Sequence, residues 1–179
     1  PVSDADRAAE ELIRHQLART RPRDALVGQL TARTVDRRYR ALVWGHPDSP
    51  RGLIDAPIGK EARTRYEVER TFTTPTETAL VVCRLETGRT HQIRVHLASL
   101  GWYVVGDPTY GRPLPGHPLS RPFLHAVALG FAHPADGHEV AYASPLATEL
   151  QGVLDALGPA VDTVEATGDA IDRRRAGPR

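Results

Sequence analysis

The sequence predicts an α+β domain built on a mixed, mainly antiparallel sheet with flanking helices. Three observations support this fold class. Apolar and polar residues alternate in several short runs, as they do in strands with one buried face. Short polar turns separate neighbouring runs, which favours antiparallel pairing, and segments with helical periodicity occur at intervals. The 179 residues are 40% hydrophobic, which is enough for one core.

The first predicted elements are two helices and a strand. Ser3 can cap a helix whose apolar residues follow the helical period, and Pro22 fits the first turn of a second helix. The strand RYRALVW then alternates two sets of side chains, Tyr39, Ala41 and Val43 against Arg40, Leu42 and Trp44. One face of this strand is therefore expected to pack on the core.

The remaining elements alternate with turns. Residues 45–59, which contain three prolines, are predicted to be a loop. The strands RYEVERTF and ALVVCRL follow, and the pair Asp136-Gly137 between HAVALGF and EVAYA is typical of a β-hairpin. A last helix carries apolar residues between Leu146 and Leu157 and ends at Gly158. Residues 1–158 are expected to form one domain, and residues 159–179 a polar, mobile tail.

Composition restricts the class of protein. No apolar run has the length needed to cross a bilayer, and no leader segment is recognisable, so a soluble cytoplasmic protein without a membrane association is predicted. Cys83 is the single cysteine, which excludes disulfides within the chain and cysteine-based zinc sites; a buried, inert thiol is expected. The chain contains no methionine and begins at a proline, which indicates a processed chain or a fragment.

Positive charge is concentrated in the first part of the chain. Eight arginines but only two aspartates lie between Arg14 and Arg40, although the net charge of the whole chain is +1. Lys60 is the only lysine, so nearly all positive charge is on guanidinium groups, which bind phosphates and stack on bases. The pattern fits a polyanion-binding surface, and it also fits a solvated surface of an arginine-rich protein.

The stretch RLETGRTHQIRVHLASLGWYVVGDPTYG combines a strand end, a turn and a helix start. Thr90 is predicted to cap a helix that Gly101 ends. His91, Gln92 and Arg94 then lie in its first turn, where free N–H groups and the helix dipole favour an anion such as a phosphate or a carboxylate. Exposed helix-cap residues without a ligand are the alternative interpretation.

Metal binding at this helix is not predicted. His91 and His96 are five residues apart, so they do not share a helix face as the i, i+4 ligands of a zinc helix do. The sequence also contains no phosphate-binding glycine loop and no serine elbow.

This stretch resembles the signature of the RluA-type pseudouridine synthases, which isomerise uridine to pseudouridine in ribosomal or transfer RNA. Three further blocks resemble the same family in the same order: ARTVDRRYRALVWG, GLIDAPIG and FLHAVALGFAHPADGHEVAYASPLATELQGVLDAL. The resemblance covers roughly residues 21–157. It implies an α+β pseudouridine synthase fold with a central RNA-binding cleft, RNA as the partner, no indicated protein partner and no cofactor.

The resemblance also implies roles for individual residues. Arg94 matches the arginine that pairs with the family's nucleophilic aspartate, and Tyr39 matches the tyrosine that packs on the target base. Candidates for RNA contacts are the helix-start residues and two residues of the loop before the second strand, namely Arg89, His91, Gln92, Lys60 and Arg63. No metal ligand is implied.

Two parts of the family pattern are missing. The aspartate belongs to a segment like HRLDxxTSG, but the chain has DRAAEELIRHQLART there, and the loop between Lys60 and Arg63 is shorter than is usual. Omission of segments of the natural chain is the favoured explanation, and loss of the nucleophile in a natural relative is the other. Two alternative functions follow: a catalytically inactive RNA-binding or ribosome-assembly module, and a phosphate-binding enzyme of another kind.

Overall fold

The computed structural model describes residues 35–112, 119–133 and 136–161. In these ranges the strands are β1 (Asp36–Trp44), β2 (Arg51–Asp55), β3 (Arg63–Phe72), β4 (Thr78–Leu85), β5 (Leu124–Ala132) and β6 (Glu139–Ala143). The helices are α1 (Gln92–Ser99) and α2 (Thr148–Asp155). The two helices predicted at the beginning of the chain, and the predicted tail beyond residue 161, lie outside the described residues.

The six strands form one sheet in the order β2-β3-β4-β1-β5-β6, and each neighbouring pair is antiparallel. Cys83 of β4 pairs with Tyr39 of β1 on one side and with Tyr66 of β3 on the other. These three side chains therefore project from the same face of the sheet. The predicted α+β fold with a mainly antiparallel sheet is confirmed.

Hydrophobic clusters cover both faces of the sheet. On one face Ala41 and Val43 pack with Ile93 and Leu97 of α1. On the other face Leu42, Phe72 and Leu80 pack with two residues of α2, Leu150 and Leu154. The prediction that β1 has one core face was therefore incomplete, because α2 buries the second face at Leu42, which is 1% exposed.

The predicted loop at residues 45–59 contains a strand, so that prediction was wrong in part. Arg51–Asp55 forms β2, which pairs only with β3 and so lies at the edge of the sheet. Pro50 and Pro57 flank this strand instead of interrupting it, and proline is tolerated outside a ladder. The Pro50 carbonyl also accepts a hydrogen bond from Val68 N at 2.7 Å, which extends the pairing.

The start of α1 differs from the prediction. His91, not Thr90, is the N-cap, and its backbone is left-handed with φ 56° and no side-chain cap hydrogen bond. Gln92 N donates to Arg89 O at 3.1 Å, so one donor predicted to be available to an anion is used within the chain. Gly101, at φ 81°, ends the helix as predicted.

Three other predictions agree with the structure. The hairpin at Asp136-Gly137 joins β5 and β6, and Gly137 has the positive φ of 76° that such a turn requires. The last helix forms within its predicted span. Cys83 is fully buried, and burial raises the pKa of its thiol to about 12. None of the helices in the described ranges is long and apolar enough to cross a membrane.

Candidate functional site

A buried ion pair joins the first turn of α1 to the loop that follows the helix. Arg94 Nε donates to Asp107 Oδ2 at 2.7 Å, and Arg94 Nη2 donates to Asp107 Oδ1 at 2.6 Å. The two side chains are 8% and 1% exposed. This bidentate geometry fixes the plane of the guanidinium, which a single contact or a lysine could not do.

The GDPTYG turn holds the Asp107 carboxylate in place. Oδ1 accepts hydrogen bonds from Thr109 N at 2.9 Å and from Tyr110 N at 3.0 Å. The Asp107 carbonyl accepts a bond from Gly111 N, and a Cβ at Gly111 would lie 2.2 Å from that carbonyl oxygen. Only glycine therefore fits at position 111, and the turn is built around the aspartate.

Asp107 is charged despite its burial. Burial alone would raise the pKa of Asp107, but the Arg94 guanidinium and the N–H groups of Tyr110 and Thr109 stabilise the carboxylate more strongly. The pKa of Asp107 therefore lies below its ordinary value. The pair is a fixed cation and a fixed anion at neutral pH.

Tyr110 connects this pair to the helix cap. Its ring lies 4.9 Å from Arg94 Cζ, which is within cation–π range. The Tyr110 hydroxyl and His91 Nδ1 are 3.2 Å apart, and the two rings meet edge to face at 5.6 Å. His91, Arg94, Asp107 and Tyr110 consequently form one group, which we call the arginine cluster.

Gln92 has an internal role. Its side chain is 2% exposed. The amide oxygen accepts bonds from Thr87 Oγ1 at 2.7 Å and Arg89 N at 2.9 Å, and the amide nitrogen donates to Arg63 O and Thr64 Oγ1 at 2.9 and 3.0 Å. All these bonds link α1 to the β4–α1 loop and to β3. These bonds give Gln92 a positioning role within the chain.

Three other predicted RNA-contact residues lie in the β4–α1 loop and where the chain enters β3. Arg89 donates from Nε to the carbonyl oxygen of Glu61 at 3.0 Å, which joins the β4–α1 loop to the turn before β3. Arg63, 42% exposed, forms ion pairs with Asp55 at 3.0 Å and Glu61 at 3.6 Å, and Lys60 is exposed beside them. These three residues form a charged rim, defined as Lys60, Arg63 and Arg89.

Tyr39 lies on the sheet face that α1 covers. It belongs to the same buried cluster as Ile93 and Leu97, and it is 2% exposed. The structure therefore brings Tyr39 beneath the helix that carries Arg94, but it encloses the ring that was expected to pack on a base.

His96, the histidine within α1, bonds only to other parts of the chain in the contacts observed. His96 is 1% exposed, and its Nδ1 and Nε2 lie 2.9 Å from Thr64 Oγ1 and 2.9 Å from Ala56 O. In the part of the chain that the structure describes, the histidines and carboxylates close enough to share a metal ion are His133, Asp136 and His138 of the β5–β6 turn.

Sequence reasoning missed the partners of Arg94. No role was predicted for Asp107 or for Tyr110. An aspartate between a glycine and a proline, four residues before a second glycine, is a signal for a carboxylate held by its own turn. That signal does not reveal which cation the carboxylate faces.

Comparisons with known proteins agree on one family. The family described as RNA pseudouridylate synthase matches residues 20–99. A protein of Chloroflexus aurantiacus named an uncharacterized RNA pseudouridine synthase is 44% identical over 145 residues, which cover 73% of this chain and 45% of the relative. Ribosomal large subunit pseudouridine synthase D of Zymomonas mobilis is 39% identical over 160 residues, covering 75% and 49%. The chain thus spans about half the length of these relatives.

A solved structure has the same fold. The human protein RNA Pseudouridylate Synthase Domain Containing 1 superposes with a TM-score of 0.58 at 27% identity, and the match covers 77% of this chain and 72% of the human one. The arginine cluster lies partly within the residues that the family match covers, since that match ends at the last residue of α1.

Proposed function

The chain belongs to the RNA pseudouridylate synthase family, and on that premise we propose that the protein isomerises uridine to pseudouridine in RNA. The observation that carries the proposal is the buried pair of Arg94 and Asp107 at the start of α1, within the motif that resembles the family signature. The names of several relatives favour ribosomal RNA of the large subunit as the substrate, with transfer RNA as the alternative.

Arg94 is proposed to hold the nucleophilic aspartate of the family. Two N–H groups of the Arg94 guanidinium donate to Asp107. Asp107 thereby fixes the orientation of Arg94, and the cation keeps an incoming carboxylate ionised because an opposite charge lowers its pKa. In this proposal Arg94 is catalytic, and Asp107 is a positioning residue.

The reaction exchanges one glycosidic bond for another. The bond between N1 of uracil and C1′ of the ribose breaks, the base turns, and C5 bonds to C1′. The C5 hydrogen is lost to solvent as a proton, and N1 takes up a proton. The aspartate acts as the nucleophile in the first stage. No redox step occurs, and the proposal assigns no role to a cofactor or a metal.

The target uridine must leave its stack, which costs a few kcal/mol. Phosphate contacts by Lys60, Arg63 and Arg89 can offset this cost, because all three lie on the rim beside the helix start. His91 can add a contact through the arginine cluster. Tyr39 is proposed to pack on the extracted base, which requires that RNA binding uncovers its ring.

The alternative functions make different predictions. An inactive RNA-binding module would bind RNA through the same rim and make no pseudouridine. A phosphate-binding enzyme of another kind would bind small phosphorylated ligands at α1, and long RNA would bind no better than short RNA. A ribosomal or transfer RNA substrate also favours a cytoplasmic location for the protein.

The proposal is tested with RNA from cells that lack the gene. The full-length protein is incubated with this RNA, and pseudouridine is mapped and counted in each ribosomal and transfer RNA. We expect stoichiometric conversion of a defined uridine without added metal or nucleotide. Tight RNA binding with no new pseudouridine in any RNA would support the inactive module instead.

A further inference from the structure

The turn of the β5–β6 hairpin brings two histidines and one aspartate together. His133 N donates to His138 O at 2.6 Å, and Gly137 N donates to His133 O at 2.8 Å, so the two histidines face each other across the hairpin. Their rings are stacked, with centroids 4.7 Å apart and an angle of 14° between planes. Cross-strand partners project their side chains from the same face of a sheet, which leaves both imidazoles on one side.

Asp136 completes the group. Its Oδ1 lies 2.5 Å from His138 Nδ1 and 3.3 Å from His133 Nδ1. One ligand atom from each of the three residues lies within 4.8 Å of the other two. Donors bound to one tetrahedral ion at about 2.0–2.2 Å lie roughly 3.4 Å from each other. Two of the separations, 2.5 and 3.3 Å, lie below that value and the third is at most 4.8 Å, so side-chain rotations would be needed to admit an ion.

We propose that His133, Asp136 and His138 bind one divalent transition-metal ion of the Zn²⁺ class. Two imidazoles and one carboxylate are ligands that suit zinc, nickel and copper, whereas magnesium and calcium prefer oxygen atoms. Three protein ligands leave a further position for water. The side chains of His133, Asp136 and His138 are 24%, 62% and 58% exposed, so an ion can enter from solvent.

Contacts with Asp136 bring the two histidine side chains to one carboxylate oxygen. His138 Nδ1 and the backbone N–H of His138 both lie within hydrogen-bonding distance of Asp136 Oδ1, at 2.5 and 3.3 Å. His133 Nδ1 lies 3.3 Å from the same Asp136 oxygen, so one ligand atom from each of the three residues converges on one point. A shared cation satisfies all three groups at once.

The position of this site indicates its role. β5 and β6 lie at one edge of the sheet, and β2 and β3, beside the charged rim, lie at the other. An ion at the hairpin would therefore join two neighbouring strands and stabilise the turn, without a part in the chemistry of the arginine cluster. This inference is independent of the proposed function.

The test is equilibrium dialysis of the metal-free, full-length protein against Zn²⁺, with Co²⁺ as a spectroscopic probe. We expect the parent to retain one ion that involves this turn, to show the visible absorption of tetrahedral Co²⁺, and to melt at a higher temperature with Zn²⁺. His138→Asn and Asp136→Asn should each weaken binding by at least tenfold. Mg²⁺ in the same experiment should have no effect.

Matched controls separate this site from nonspecific binding. Glu139→Gln removes a nearby exposed carboxylate, and His125→Asn removes an imidazole that lies outside the turn; both should bind Zn²⁺ like the parent. Melting curves without metal establish that every variant is folded. The proposal is overturned if the parent retains no zinc, or if His138→Asn and Asp136→Asn bind it as tightly as the parent does.

Discussion

Arg94 and Asp107 are thirteen residues apart in sequence and form a two-bonded ion pair that is almost entirely buried. The pair connects the first turn of α1 to the GDPTYG turn, and it carries the Tyr110 ring and His91 beside it. Breaking a buried pair on one side leaves an uncompensated charge in the interior. Variants of Arg94 and of Asp107 can therefore separate an effect on the reaction from an effect on stability.

Replacement of Arg94 should abolish activity more than RNA binding. Arg94→Ala removes the cation that is proposed to hold the nucleophile, and Arg94→Lys restores the charge without the two-pronged contact. We expect no measurable pseudouridine formation with Arg94→Ala, only weak rescue by Arg94→Lys, and RNA affinity within a few-fold of the parent. Single-turnover assays and a binding titration measure the two effects separately.

A melting curve is the control for this prediction. Loss of one partner of a buried pair typically costs about 3–5 kcal/mol of stability, so assays are run well below the variant's melting temperature. A folded Arg94→Ala protein with turnover near the parent's rate would show that Arg94 is a structural residue only.

Replacement of Asp107 should change the dependence of stability on pH. The pKa of Asp107 is lower in the folded protein than its ordinary value of about 3.9. Its contribution to stability is thus fully present above pH 4 and is lost as the pH falls through that value toward the folded pKa. Asp107→Asn should cost about 3–5 kcal/mol at neutral pH and flatten the acid dependence, as measured by urea unfolding.

A double variant provides the control for Asp107. Arg94→Met combined with Asp107→Leu removes both charges, and replacing a whole buried pair by apolar groups is often close to neutral. We expect it to be more stable than Asp107→Asn alone. A loss in the double variant equal to the sum of the losses in Arg94→Met and Asp107→Leu would mean that the two side chains do not interact in solution.

RNA affinity should depend steeply on salt through the charged rim. Each phosphate contact releases counterions, so log affinity falls linearly with log salt concentration. Arg89→Gln and Arg63→Gln should each reduce the magnitude of this slope by about one, whereas Arg121→Gln, whose ion pair is with Glu149 of α2, should not. Fluorescence titrations from low to high salt give the slopes. A flat dependence for the parent would contradict an RNA-binding surface.

Replacement of Gln92 should lower the stability of the protein and leave its RNA contacts unchanged. Gln92→Leu leaves the Thr87 hydroxyl and the Arg63 carbonyl without their buried partner, at a cost of about 1–3 kcal/mol. The salt slope of RNA binding should remain at the parent's value because the side chain is buried. Normal stability together with a weakened RNA affinity would support the direct RNA contact that the sequence suggested.

Local patterns in the sequence predicted most of the sheet. β1 and β3 have alternating side chains, β4 is a short apolar run, and the β5–β6 hairpin has a recognisable turn. These features act over a few residues. β2 was missed because its existence depends on β3, which pairs with it as an edge strand. The second buried face of β1 was missed for the same kind of reason, since α2, more than a hundred residues later, covers Leu42.

Individual site residues could be predicted only where a sequence motif fixes their position. Arg94 and the rim residues came from resemblance to a family, but their partners depend on how turns close in space. Thr90 is a good N-cap by composition, yet His91 takes that position, and Thr87 bonds to the Gln92 amide and to Arg63 N. No local sequence rule distinguishes a threonine that caps a helix from a threonine that buries its hydroxyl group.

The most direct test of the account is release of the C5 hydrogen of uridine. RNA transcribed with uridine tritiated at C5 is incubated with the full-length protein, because forming the bond between C5 and C1′ releases that tritium to water. We predict release of one tritium equivalent per modified site with the parent and none with Arg94→Ala. Parent protein that binds the RNA and releases no tritium from any ribosomal or transfer RNA would contradict the account.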